Sequence, residues 1–145
     1  MKKILASLLI LICTPFASFA QSSDIVVSGE WARPILIAGR PGSAYSHIEN
    51  TGSEDDKLVM VTSSVSPRLE IHEHTMTDGV MKMGKVDGIV VPAGGSVDLK
   101  PGGYHIMIFD SIKKYATGEE IDLKLTFEKS GVIEKTVTVF SKSPN

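Results

Sequence analysis

The fold is decided by the stretch Glu120-Ile121-Asp122-Leu123-Lys124-Leu125-Thr126-Phe127-Glu128. Apolar side chains alternate strictly with polar ones along it, which is the period of a β-strand with one buried face and one wet face. A Ser130-Gly131 turn follows, and a less regular alternation continues from Val132 to Phe140. This pattern predicts a β-hairpin.

The chain before this hairpin is organised in the same way. Short β-rich runs are separated by Gly, Pro, Asn and Asp, and we see no convincing helical pattern. We predict nine strands, at residues 24–31, 42–50, 57–64, 68–74, 80–86, 96–99, 104–110, 120–128 and 132–140. So many strands exceed one flat sheet, and the predicted class is an all-β antiparallel sandwich or barrel. The sequence does not indicate a role for the loop from Pro34 to Pro41.

The N-terminus reads as a secretory signal peptide. Lys2 and Lys3 precede an apolar run over residues 4–12, and small residues lead to Ala20. We therefore expect cleavage after residue 20, export to the periplasm, and one mature domain over residues 21–145. The apolar run is shorter than the roughly 20 residues of a membrane span. A lipoprotein signal is disfavoured because Ile12 precedes Cys13 where a small residue is expected.

Charge and cysteine content restrict the function of the mature domain. Without Lys2 and Lys3, the 15 basic residues become 13 against 17 acidic ones, a formal charge of -4. No basic stripe points to nucleic acid, and no amphipathic helix follows the signal, so we expect a soluble protein, as a monomer. The one cysteine, Cys13, leaves with the signal, so a soft metal must be held by methionine.

Histidine and methionine are concentrated between residues 72 and 107. Strand alternation places His72 and His74 on the face opposite Ile71, and His105 and Met107 on the face opposite Ile106 and Ile108. Imidazoles and thioethers without thiolate or carboxylate form a soft, neutral donor set, which favours Cu(I) over zinc, calcium or magnesium. Strand alternation and composition alone leave a wider set of candidate ligands open: His72, His74, Met76, Met81, Met83, His105 and Met107. His47 lies in another predicted strand and is treated as structural or solvent-facing.

The spacing within this segment resembles a known family. One histidine, ten residues, a methionine, twenty-one residues and a His-x-Met unit form the motif of the periplasmic copper chaperones called PCuAC, and four residues fit it: His72, Met83, His105 and Met107. Segments such as Trp31-Ala32-Arg33-Pro34 and Lys100-Pro101-Gly102-Gly103-Tyr104 are also similar to the family.

This resemblance implies a cupredoxin-like Greek-key β-sandwich that binds one Cu(I) per chain through these four residues, here termed the candidate ligands. It also implies transfer of the ion, in many members toward the copper centre of cytochrome c oxidase subunit II, with a Sco-type protein as another possible recipient. Ligands near a rim would let a partner attack the metal, so we expect the site at one end of the sandwich.

Other functions are weighed against this one. A blue-copper electron carrier needs a cysteine ligand, which the mature chain lacks. No catalytic constellation is visible, so no enzymatic activity is expected, and two thioethers poorly suit a copper oxidase that cycles through Cu(II). A copper storage or resistance protein needs the same ligands as a chaperone and stays open, and a β-sandwich adhesion module is the alternative without metal.

Overall fold

The computed structural model describes residues 23–144, so the predicted signal peptide lies outside the described part. These residues form ten strands: β1 (Ile25–Ala32), β2 (Gly42–Asn50), β3 (Asp56–Thr62), β4 (Arg68–Thr77), β5 (Val80–Lys85), β6 (Ile89–Val91), β7 (Ser96–Leu99), β8 (His105–Phe109), β9 (Glu120–Phe127) and β10 (Gly131–Val139). Within residues 23–144, no helix has the length and apolar character needed to cross a bilayer.

The strands form one continuous sheet that turns back on itself. Its order is β5-β4-β8-β2-β1-β10-β9-β3-β6, and β7 pairs with the second half of β2. The pairing is antiparallel except between β1 and β10, which run parallel. Because β3 near one end of this order packs against β4 near the other, the sheet encloses a core. The predicted all-β class is confirmed.

The core follows the alternation seen in the sequence. In β9 the inward side chains Ile121, Leu123, Leu125 and Phe127 are all buried, and the predicted hairpin with β10 is present. Removing this apolar area from water supplies the main driving force for closing the sheet. Trp31 and Tyr45 pack together, with ring centroids 4.5 Å apart.

Three details differ from the sequence prediction. β6 was not predicted, because Ile89-Val90-Val91 is short and lies between Gly88 and Pro92. The loop from Pro34 to Pro41 contributes Ile35 to the core, where its backbone pairs with Tyr115. β4 continues to Thr77, three residues beyond the predicted end.

Candidate metal centre

Three adjacent strands, β5, β4 and β8, carry the candidate ligands. β4 is the central strand of the three and pairs antiparallel with both neighbours. In this register His72 lies directly opposite His105, and two residues along, Glu70 lies opposite Met107. On the other side of β4, His74 lies opposite Met83.

The register puts all these side chains on one face of the sheet. Directly opposed residues of an antiparallel pair point to the same side, and so do residues two apart on a strand. The structure therefore brings the four candidate ligands to one face. Met83 is not directly opposite His72 or His105. It lies opposite His74, two residues further along β4, and is therefore diagonal to His72.

His72 is held by a carboxylate and keeps one nitrogen unused. Its Nε2 lies 2.8 Å from Oε2 of Glu70, while its Nδ1 is buried and has no hydrogen-bond partner. This hydrogen bond holds the pKa of Glu70 below its ordinary value of 4.5. A carboxylate that accepts from one ring nitrogen fixes the tautomer and frees the other nitrogen as a ligand. For His72 the free nitrogen is Nδ1.

His105 is oriented by the backbone. Its Nδ1 lies 2.9 Å from the carbonyl oxygen of Gly103, so Nδ1–H donates and Nε2 keeps its lone pair. Burial lowers the pKa of His105 from its ordinary value of 6.5; the hydrogen bond to Gly103 opposes this shift, and the nearby His74 and His72 reinforce it. Burial thus favours the neutral imidazole, which is the form that a metal requires.

The two candidate thioethers differ in exposure. Met107 is buried, with 9% of its surface exposed, and the hydroxyl of Ser43 lies 3.8 Å from its sulfur. Met83, on the edge strand β5, is 50% exposed. One thioether is thus fixed within the sheet while the other faces solvent.

His74 is closer to the site than the sequence indicated. Its ring stacks on that of His105, with centroids 4.8 Å apart and planes inclined by 22°, and its Nδ1 is buried without a partner. Alternation along the strand gives the face of His74 but not its distance from His105, so this contact could not be predicted from the sequence. Two contacts of the site, those of Glu70 and Ser43, were not predicted at all. Glu70 shares the alternation of His72 and could have been found from it.

The arrangement offers soft and neutral donors. The described residues contain no group of three His, Cys, Asp or Glu side chains placed to hold a metal ion. The donors that this face brings together include the thioethers of Met107 and Met83 as well as the imidazoles. Two imidazoles with thioethers suit Cu(I).

Comparison with known sequences identifies the family. The model of the family described as "Putative lipoprotein LpqE-like" matches residues 25–139. Lxx21020 of Leifsonia xyli subsp. xyli, whose description is also that of a lipoprotein, is 30% identical over 120 residues. That alignment covers 82% of this chain and 71% of the relative.

Comparison with solved structures supports the fold. The copper-bound PCuAC domain from PmoF2 superposes with a TM-score of 0.70 at 23% identity, covering 83% of this chain and 95% of that domain. The Cu(I) form of DR1885 from Deinococcus radiodurans gives a TM-score of 0.61 at 22% identity, covering 88% of this chain and 87% of that one. The chain therefore belongs to the LpqE-like family and has the cupredoxin-like fold of PCuAC domains, as the sequence resemblance implied.

Proposed function

We propose that this protein is an exported Cu(I) carrier, a metallochaperone of the periplasm that binds one Cu(I) per chain through the four candidate ligands. The observation that carries the proposal is the pair His72 and His105. They lie opposite each other on adjacent strands, each with one ring nitrogen free of a protein hydrogen bond, on the face that also carries two thioethers.

Copper is the cargo of this site, and the residues fit it. His72 offers Nδ1 and His105 offers Nε2, while Met107 and Met83 offer sulfur. Since thioethers do not titrate and prefer Cu(I) to Cu(II), the site protects the cuprous state. The copper-bound PCuAC domain of PmoF2 and the Cu(I) form of DR1885, which share the fold, support this choice of metal.

Release of the ion begins at Met83. This ligand is exposed and lies on an edge strand, so a partner's thiol or imidazole can replace it before the buried ligands dissociate from the ion. The copper keeps its +1 charge throughout, because transfer exchanges one soft ligand for another. We infer that the recipient is the copper centre of cytochrome c oxidase subunit II or a Sco-type thiol protein.

Anaerobic titration with Cu(I) against a chromophoric competitor tests the binding site. We expect one tight equivalent per chain, and a large loss of affinity in His105→Ala and in Met83→Leu. His47→Ala, on β2 four residues beyond Ser43, and Met60→Leu, on β3, are controls outside the set of candidate ligands, and they should bind as the wild type does. Wild-type affinity in a His105→Ala/Met83→Leu double variant would sink the assignment.

Transfer separates a carrier from a storage protein, which is the second candidate because it needs the same ligands. Copper-loaded protein is mixed with an apo copper-centre domain or an apo Sco-type protein, and the copper content of each is measured after separation. A carrier gives its copper to one of them faster than free dissociation allows. Retention of copper against both recipients would favour storage.

Export and the absence of catalysis belong to the same proposal. The family's description as lipoproteins supports export, and the predicted signal peptide over residues 1–20 supplies the route. Cell fractionation with sequencing of the mature N-terminus tests both. An assay for copper-dependent oxidation of phenolic and metal substrates tests the expectation that the protein is not an enzyme.

A further inference from the structure

The hairpin of β4 and β5 extends the candidate centre outward. β8 pairs with β4 only as far as His72, whereas β5 pairs with β4 from His72 to Thr77. His74 N–H still donates to the carbonyl oxygen of Gly103, and beyond His74 the hairpin is a two-stranded ribbon. It closes at Asp78-Gly79, where positive φ angles of 51° and 75° fit a two-residue turn of the kind that matches strand twist.

Two further methionines lie on this ribbon, on the same face as the candidate centre. Met76 is directly opposite Met81, and the next pair on the same face is His74 and Met83. Residues two apart share a face, so the two pairs form a block of one imidazole and three thioethers. Cβ atoms of directly opposed residues are about 5 Å apart, a distance that flexible methionine side chains can bridge around one ion.

The exposure of this block is unusual for apolar side chains. Met76 is 64% exposed and Met81 59%, so neither contributes to the core. The common structural role of a strand methionine, filling a gap in the core, is therefore excluded for both. His74 adds a buried Nδ1 without a partner.

We propose that His74, Met76, Met81 and Met83 form a second, outer Cu(I) site through which copper enters and leaves the inner one. Met83 belongs to both sites. An ion held by the outer thioethers moves inward when its bonds to Met76 and Met81 break and bonds to the inner histidines and Met107 form. Copper stays +1 and no electron is transferred.

The outer site is weaker than the inner one for physical reasons. Its three methionines are exposed, and a two-stranded ribbon has little independent stability, so binding must order the ribbon at a cost in free energy. A weak outer site next to a tight inner one suits ligand exchange. The proposal rests on the proposed function, because both sites need Cu(I) as cargo.

The test is an anaerobic Cu(I) titration of protein labelled with ¹³C at the methionine methyl groups, followed by NMR. We expect Met107 and Met83 to shift during the first equivalent. Met76 and Met81 should shift during the second, when Met83 shifts again. Met60, an exposed methionine on β3, is the internal control and should not respond.

Each outcome decides between the two sites. If Met76 and Met81 respond no more than Met60 while Met83 and Met107 shift, the outer site is wrong and the proposed function stands. If Met76 and Met81 shift while Met107 does not, the outer site stands and the inner assignment is wrong. If none of the four shifts, both are wrong.

Variants extend the test to the route of transfer. Met76→Leu/Met81→Leu nearly keeps the volume and exposure of both side chains but removes their sulfur, and it should bind only the tight equivalent, whereas the wild type also binds a second, weaker one. Stopped-flow loading from a weak Cu(I) complex should be several-fold slower than in wild type and in Met60→Leu. Loading at the wild-type rate would overturn the role as an entry route.

Discussion

Oε2 of Glu70 lies 2.8 Å from Nε2 of His72, and the other nitrogen of the same ring, Nδ1, is buried without a hydrogen-bond partner. The carboxylate thus selects the nitrogen that remains available. Since Glu70 lies opposite Met107, it also borders the second inner ligand. Glu70 is a positioning residue for the proposed copper site, acting through the imidazole rather than on the metal.

Glu70→Gln should therefore weaken Cu(I) binding by about tenfold, the lower end of what loss of such a partner costs. The amide oxygen can still accept from Nε2–H, but without the charge that raises the basicity of the ring. Competition titration with a Cu(I) chelator measures the change. Glu70→Ala removes the acceptor altogether and should cost more.

The chain offers a matched control for this substitution. Asp98 accepts from Nδ1 of the exposed His47 at 2.7 Å, so Asp98→Asn changes an equivalent carboxylate–histidine contact away from the site. Its Cu(I) affinity should equal that of the wild type. Equal losses in both variants would show that Glu70 acts through general charge or stability instead.

The lowered pKa of His105 predicts how copper binding depends on pH. Burial disfavours the imidazolium, with a further contribution from His74 and His72, so His105 stays neutral below the ordinary value of 6.5. Protons then compete for Nε2 only at lower pH than for a free histidine, and His105 should remain available to Cu(I) further into the acid range. An NMR pH titration of the His105 ring protons in the copper-free protein checks this. A midpoint at or above 6.5 would contradict it.

The same shift has a consequence for stability. Because the unfolded chain binds more protons than the folded one between the two pKa values of this histidine, the contribution of His105 to the free energy of unfolding rises with pH through that window. Below this pH window, the contribution of His105 to the free energy of unfolding is at its lowest. In the copper-free protein, His105→Gln should make the free energy of unfolding depend less steeply on pH in the acid range. Urea unfolding at a series of pH values measures this.

Asp56 has the opposite pH dependence, at a distance from the metal face. Its buried carboxylate accepts backbone N–H groups from Lys57, Lys129 and Ser130 at 2.7, 3.0 and 2.9 Å. Burial raises the pKa of Asp56, but these hydrogen bonds outweigh it and the net shift is downward from 3.8. Its stabilising effect is therefore present above the unfolded pKa and lost as pH falls through the folded one.

Asp56→Asn should lower the free energy of unfolding at pH 7 by about 2 kcal/mol. The amide replaces one carboxylate oxygen by an NH₂ group, so a donor then faces backbone N–H donors that have lost their acceptor. Urea unfolding measures the change. The exposed Asp87→Asn is the control and should stay within about 0.5 kcal/mol of wild type. A loss at pH 7 that persisted unchanged well below pH 3 would contradict the charge-based explanation.

The faces of the strands could be predicted from the sequence, but their register could not. Alternation placed His72 and His74 on one side of β4 because side chains on a strand have a period of two. Which residue of β5 lies opposite His74 depends on the turn at Asp78-Gly79, and the partner of His72 on β8 depends on pairing across distant parts of the chain. These relations require the folded sheet.

The missed features have similar causes. β6 is only three residues long, so periodicity gives it no signal, and it exists because it pairs with the start of β3. The parallel contact between β1 and β10 joins strands about one hundred residues apart in sequence, which no local pattern encodes. The hydrogen bond from Nδ1–H of His105 to Gly103 depends on the backbone path before β8.

Oxidation by hydrogen peroxide should follow exposure in the metal-free protein. Met60 and Met83 are 51% and 50% exposed, whereas Met107 is 9% exposed. Peroxide reaches accessible thioethers first, so Met60 and Met83 should form sulfoxide at comparable rates and Met107 much more slowly. Peptide mass spectrometry over a time course measures all three.

One equivalent of silver(I), a soft ion that peroxide does not oxidise, should then separate the two exposed methionines. A sulfur that donates its lone pair to a metal is no longer a nucleophile toward peroxide, so Met83 should be protected while Met60 continues to react. Because their exposures match, any difference reports coordination rather than access. Equal oxidation of both in the presence of silver would remove Met83 from the set of ligands.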